Sequence, residues 1–272
     1  MVKNCFTTVA NKPYHKYIPW YVYFIQQSYP QSHIMLFLNE FLDTSIKNML
    51  HLFDLTKMNI FENYFGGYQC NNADNIKCMR WLNLHPKFMD FEYIHIGDID
   101  IGICAEDPNL FEQHAEHCNM TGLPYSNFVR PQPPKNRFCG VHVIKTQEWF
   151  DMISMSILKY KEQILKHGKW PCANPIGLNE QLLYQIIYES IGPPPSDLKT
   201  TYDQCIKSFN HHGVHIRLVE HRGAKFLKTI KGFLNFKEQL IVLPQDDKFR
   251  QLCELSPSIG KYFIEVSKCL RE

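Results

Sequence analysis

Residues 4–38, NCFTTVANKPYHKYIPWYVYFIQQSYPQSHIMLFL, decide the fold class. NCFTTVA at one end and HIMLFL at the other are short, almost wholly apolar or β-branched runs, the texture of strands covered on both faces. KYIPWYVYFIQQSY between them spaces its apolar residues as one face of a helix. A strand, a helix and a strand in succession form one unit of an α/β sheet. The alternation continues outward: TSIKNMLHLF reads as a helix, MNIFENY as a strand, ADNIKCMRWLNL as a helix and FEYIHIG as a strand. These runs predict an α/β fold, a central sheet with helices on its faces.

Further along, PNLFEQHAEHCNMTGLPYSNFVRPQPPKNR is proline-rich and is expected to be loop, covering a sheet edge. RFCGVHVIKT resumes as a strand, and QEWFDMISMSILKYKEQILKHG and LNEQLLYQIIYES follow as helices, the second stopped by Pro193 to Pro195. In the tail, GAKFLKTIKGFLNFKEQL places Phe226, Ile230, Phe233 and Leu234 at helical spacing with Lys225, Lys228 and Lys231 interleaved. One amphipathic basic helix is expected there, packed on the core with a solvated lysine face or lying on anionic lipid.

The 272 residues are 44% hydrophobic, enough to bury a full core without disulfides. Lys and Arg total 29 against 27 Asp and Glu, so a formal charge of +2 supplies no bulk attraction to nucleic acid. The 10 cysteines stand singly, with no CxxC pair, and the first residues carry no secretory signal. Reduced thiols in a cytoplasmic protein are therefore expected, a structural zinc site assembled from distant Cys and His being the minor alternative. No run approaches the ~20 apolar residues that span a bilayer.

One stretch does not fit a purely structural reading. In DFEYIHIGDIDIGIC, residues 90–104, Asp98 and Asp100 sit one residue apart at the end of an apolar strand. Carboxylates there need a positive partner. Ligands collect beyond the carboxyl ends of strands in such sheets, and two acids so spaced can grip one divalent cation. Magnesium and manganese sites of this kind complete their shell with phosphate oxygens and water, which implies a diphosphate-bearing substrate.

The order TTVANKPY, HIMLFLN, KCMRWLNL and YIHIGDIDIGI resembles the nucleotide-sugar-dependent glycosyltransferases of the GT-A fold. In layout it is similar to the retaining group that includes glycogenin and the bacterial lipopolysaccharide galactosyltransferases. The resemblance covers most of residues 4–222. It implies a Rossmann-like mixed central sheet flanked by helices, forming a catalytic domain over 1–222, with 223–272 as a helical extension packed on it.

Position by position, the resemblance implies that the turn of Thr8, Ala10 and Tyr14 holds the nucleotide base, with the Tyr14 ring available to stack on a pyrimidine. Arg80 meets the nucleotide and its phosphates, a task that suits a guanidinium fork. Asp98 and Asp100, with Ile99 between them, form the DxD motif. Cys139 and Gly140 lie beneath the donor sugar, and Asn179, Glu180 and Gln181 reach its hydroxyls or the acceptor. His215 is the preferred third metal ligand and His221 the alternative, with Arg222 or Lys225 as the diphosphate partner. The family has an acidic residue in the first turn where this chain has Asn11 and Lys12.

The cofactor implied is Mn²⁺ or Mg²⁺, and an imidazole ligand favours manganese. The donor implied is a nucleoside diphosphate sugar, UDP-linked, giving up a hexosyl or N-acetylhexosaminyl group. The acceptor implied is a glycan or lipid-linked hydroxyl in bacterial capsule or lipopolysaccharide synthesis, at the inner face of the cytoplasmic membrane, which the basic tail helix touches. An inverting enzyme would need a carboxylate base, Glu180 first and Asp151 second; a retaining one would not. A nucleotidyltransferase is the competing enzyme, although the first turn has no phosphate-loop glycine. A non-catalytic carbohydrate-binding protein on the same fold is the competitor from another class.

Overall fold

The computed structural model describes residues 4–66, 73–131, 136–167, 178–208 and 211–272. Cys70, Cys172, Gly177 and the prolines at 133 and 134 lie outside the described residues.

Strand β1 (Asn4–Ala10) leads through a 3₁₀ turn to α1 (Ile18–Ser28) and β2 (His33–Leu38), as the opening stretch predicts. Helix α2 (Thr44–Leu50), β3 (Met58–Phe61), α3 (Ala73–Met79), β4 (Tyr93–Ile96) and β5 (Ile101–Ile103) follow. Then come α4 (Leu110–Thr121), β6 (Tyr125–Ser126), β7 (Val129–Arg130), β8 (Arg137–Phe138), β9 (His142–Lys145), α5 (Thr146–His167), α6 (Leu178–Ser190) and α7 (Leu198–Cys205). The last elements are β10 (Gly213–His215), α8 (Ile216–Arg222), α9 (Ala224–Leu227), α10 (Lys237–Val242), α11 (Asp247–Leu255) and α12 (Pro257–Arg271).

The fold is mixed α/β. A six-stranded sheet runs β3-β2-β1-β4-β9-β6. The first four of these strands are parallel, while β9 runs antiparallel to β4 and to β6. Because side chains alternate across a strand, the sheet sorts its residues into two cores. Phe6, Ile34 and Leu36 enter one cluster, with Trp20, Phe24 and Phe263. Cys5, Met35, Phe37, Ile94 and Ile96 enter the other, with Trp81, Trp149 and Leu183.

The segment after β5 is helical where the sequence reading expects loop. Asn109 accepts from the Phe111 amide and Glu112 reaches back to the Asn109 amide, a capping box that starts α4, and Gly122 ends it at φ 67.

The single tail helix expected over GAKFLKTIKGFLNFKEQL is instead broken. It runs as α9, a 3₁₀ turn over Phe233–Phe236 and α10, with Gly232 at φ 79 where a continuous helix cannot pass. Phe233, Phe236 and Leu240 are buried in the same cluster as Trp20, which also stacks on Phe263 at 5.1 Å. That apolar face is spent on the core; Leu234 is the half-exposed exception. Among the described residues, no helix is long and apolar enough to cross a membrane.

Candidate functional site

The acidic pair sits on the bend between β4 and β5, and β1 pins that bend. Thr8 Oγ1 donates to the Gly97 carbonyl at 2.8 Å, and the Gly97 amide donates to the Thr7 carbonyl at 3.2 Å. A short antiparallel ribbon then pairs β5 with β10, setting His215 opposite Ile101, while the Ile216 amide donates to the Asp100 carbonyl at 2.9 Å. The result is a compact cluster: one ligand atom each from Asp98, Asp100 and His215 lies within 4.8 Å of the others.

A cleft of about 280 Å³ opens onto this cluster. Its walls include Asn11 and Tyr14 from the first turn, Lys77 and Arg80 from α3 and its end, and Arg217 and His221 from α8. Arg80 is nearly buried and doubly held, its Nη1 donating to Asp98 Oδ1 at 2.5 Å and its Nη2 to Asn179 Oδ1 at 2.8 Å. Its guanidinium also lies 4.4 Å from the Trp81 ring centroid.

Electrostatics separates the two acids. Burial opposes charge on Asp98, but Arg80, with His215, His211 and Lys77, outweighs it and holds that carboxyl below its ordinary value. Asp100 is raised, by burial first and by the charge of Asp98, against the pull of His215. Burial likewise lowers His211, whose ring meets that of His215 edge-on at 5.0 Å, to about 3.

Two carboxylates and an imidazole whose Nδ1 has no partner among the described residues suit a divalent transition metal. His221 lines the cleft but is not in the three-residue cluster.

The structure brings Tyr14, Arg80, Asp98, Ile99, Asp100 and His215 to one cleft. It places other residues elsewhere. Thr8 and Ala10 are buried behind the cleft wall, Thr8 as the tie to Gly97, while Val9 and Asn11 face the opening. Arg222 is exposed over the Phe226 ring at 4.6 Å and Lys225 is exposed, so neither lines the cleft.

Sequence reasoning missed Arg217, whose Nη1 donates to Tyr14 Oη at 2.7 Å. On α8, positions 217, 218 and 221 share the cleft face, one helical turn apart, and 222 falls off it, while 225 lies on α9. No local signal marks Arg217, because its partner lies two hundred residues earlier. If the cleft takes the nucleotide that the resemblance implies, Arg217→Met is expected to weaken UDP binding about tenfold, the scale of one charge-assisted hydrogen bond of about 1.5 kcal/mol. Calorimetric titration with UDP checks this, and an unchanged affinity would remove Arg217 from the site.

Asn179 and Glu180 stand just behind the cleft. A Cβ built on Gly140 would lie 3.0 Å from Glu180 Oε1, 3.4 Å from Asp98 Oδ2 and 3.7 Å from Arg80 Nη2, so these groups converge where only a glycine leaves room. Glu180 also pairs with Arg137. Burial raises its carboxyl, with Asp98 adding to the effect and Arg137 and Arg80 opposing it. Gln181 is buried and Cys139 packs among Phe128, Tyr202 and Ile206, neither lining the cleft. Asp151 bonds Gln147 on the exposed side of α5, away from the cleft.

No protein-family profile matches the chain, and no curated protein does. Among solved structures it is similar to the galactosyltransferase LgtC in complex with donor and acceptor sugar analogues, at 14% identity over 58% of this chain and 65% of that one, with a TM-score of 0.35. It is similar to the apo-form glycosyltransferase GlyE of Streptococcus pneumoniae TIGR4, at 12% identity over 70% and 44% of the two chains, TM-score 0.45. A third is 4-diphosphocytidyl-2C-methyl-D-erythritol synthase, at 10% identity over 74% and 97%, TM-score 0.35. The chain spans under two thirds of the first structure and under half of the second.

Proposed function

We propose that this chain is a GT-A-type glycosyltransferase that moves a sugar from a nucleoside diphosphate, UDP for preference, to a hydroxyl. The observation that carries the proposal is the convergence of Asp98, Asp100 and His215 in one cleft with Tyr14, Arg80 and Arg217. In it, Asp98, Asp100 and His215 would hold Mn²⁺ or Mg²⁺, which supplies positive charge beside a diphosphate. Arg217, Lys77 and Arg80 add fixed positive charge on the same cleft. Charge placed where a leaving group becomes more negative lowers the barrier to its departure. Tyr14, its hydroxyl held by Arg217, offers a ring to the base.

The anomeric carbon passes through an oxocarbenium-like state. Asp98 and Asp100 are the only carboxylates lining the cleft among the described residues, and Glu180 is paired to Arg137. That arrangement favours a retaining course, in which the departing phosphate takes the acceptor proton. The acceptor class, a glycan or lipid-linked hydroxyl of bacterial capsule or lipopolysaccharide, rests on the family resemblance, as does a place at the inner membrane face. Nothing in the first turn favours the nucleotidyltransferase alternative, since residues 11–17 contain no glycine.

The test is a panel of UDP- and GDP-sugars with Mn²⁺. Slow donor hydrolysis by one of them is expected. No turnover with any donor, together with no Mn²⁺-dependent thermal shift with UDP or GDP, would sink the proposal.

A further inference from the structure

Ahead of His215 the backbone takes a path that side chains resist. His212 sits at φ 57 and Gly213 at φ 159. A Cβ on Gly213 would stand 2.0 Å from the Gly102 carbonyl oxygen, so only glycine allows β10 to close on β5 there. His212 keeps its Cβ in the left-handed region, which residues other than glycine adopt only uncommonly.

Something must hold His212, and its side chain is held at both ring nitrogens. Nδ1 lies 2.6 Å from Glu106 Oε1 and Nε2 lies 3.0 Å from His114 Nε2. Beyond His114 the chain continues: its Nδ1 is 2.7 Å from Ser126 Oγ, which is 2.8 Å from His117 Nδ1. The three imidazoles and Ser126 are fully buried.

Burial opposes charge on Glu106, but His212 and the hydrogen bonds of His212, Ser208 and Gln113 outweigh it and hold the carboxyl below its ordinary value. An ionised carboxylate only accepts, so His212 Nδ1–H donates to it. The contacts run on without a break from Glu106 through His212, His114 and Ser126 to His117. The ladder joins the loop after β5, helix α4, strand β6 and the turn before β10.

We propose that Glu106, His212 and His114 are positioning residues for the imidazole of His215. Clamped between Glu106 and His114, the His212 ring holds the left-handed turn that seats β10 on β5 and sets His215 beside Asp100. The role of His215 as a ligand is that of the function proposed above. A metal site tolerates ligand displacements of only ~0.2 Å, so a slackened turn three residues away is felt there.

The experiment compares full-length His212→Asn, His114→Gln and His114→Leu with wild type. Asn accepts the left-handed conformation but cannot span to both partners, whereas Gln at 114 still presents an amide donor. Two quantities are read. One is Mn²⁺ affinity, from the electron paramagnetic resonance of free Mn²⁺; the other is amide exchange at Cys104 and Ile216, which donate to the carbonyls of His212 and Asp100.

His212→Asn is expected to weaken Mn²⁺ binding at least tenfold and to speed exchange at both amides while β1 stays protected. His114→Gln should remain within threefold of wild type, and His114→Leu should follow His212→Asn, serving in its place if that variant does not fold. A purely structural role would lower the melting temperature and leave Mn²⁺ affinity intact. Wild-type affinity and protection in folded His212→Asn or His114→Leu overturn the proposal. Wild-type protein that binds no Mn²⁺ defeats the metal reading instead, and the exchange rates alone then decide the clamp.

Discussion

On the proposed function, Asp100→Ala is expected to weaken Mn²⁺-dependent UDP binding by at least ~10–100-fold and to leave the chain at least as stable as wild type. Asp100 is almost wholly buried, and its carboxyl is raised by that burial and by the neighbouring charge of Asp98. A charge kept in such a place is a cost to the fold in the absence of a cation, so its removal relieves repulsion. Its contribution comes when a cation joins it to Asp98 and His215. Loss of one of three protein ligands should cost at least the ~10–100-fold that follows from disturbing the groups that merely support a ligand. The measurement is a thermal-shift titration with UDP and Mn²⁺, repeated in EDTA. Normal Mn²⁺-dependent binding of UDP by the variant would refute the site.

Mild acid is expected to unfold the protein well before its carboxylates titrate. Burial lowers His95 to about 3, with His212 adding to the effect, and lowers His142 to about 3, with the Arg80 charge adding. His114 is lowered as well, by burial and then by His212. These are folded values below the unfolded one of about 6.5. The unfolded chain therefore binds more protons over that interval, and stability falls as pH falls through it. Each such histidine contributes a slope of up to about 1.4 kcal/mol per pH unit, so His95 and His142 together approach about 3 kcal/mol per unit. Against a total stability of ~5–15 kcal/mol, that is large.

Asp100 and Glu180, both raised by burial, act in the opposite sense, since folding makes them hold protons that the unfolded chain gives up. The urea midpoint should drop markedly between pH 7.5 and 5.5, and His142→Phe should flatten the profile. A midpoint that does not move over this range would mean that the imidazoles protonate in place.

The strand, helix, strand opening was legible because buried strands and an amphipathic helix differ in period, and DFEYIHIGDIDIGIC announced its acids by their cost. Strand direction was not legible: nothing in RFCGVHVIKT says that β9 runs against β4. Helix α4 was hidden by composition. Its interior carries His114 and His117, polar residues that read as solvent-facing yet are fully buried because each finds a hydrogen-bond partner in Ser126. The capping box Asn109-x-x-Glu112 was the signal that could have revealed it. In the site, the residues that stand on the acidic bend were readable from the chain itself. Arg217 was not, because it acquires its place only from a partner brought in by the fold.

The pairing of β10 with β5 joins residues 213–215 to residues 101–103. A contact so distant along the chain forms late, since the intervening segment must be gathered first. The parallel pairs among β1, β2, β3 and β4 are complete by residue 96. During synthesis, then, the four parallel strands and both aspartates emerge long before the imidazole that would join them. The nascent chain carries only half of the proposed cation site until residues 213–215 arrive, and a chain stopped before them would have the acids without the imidazole.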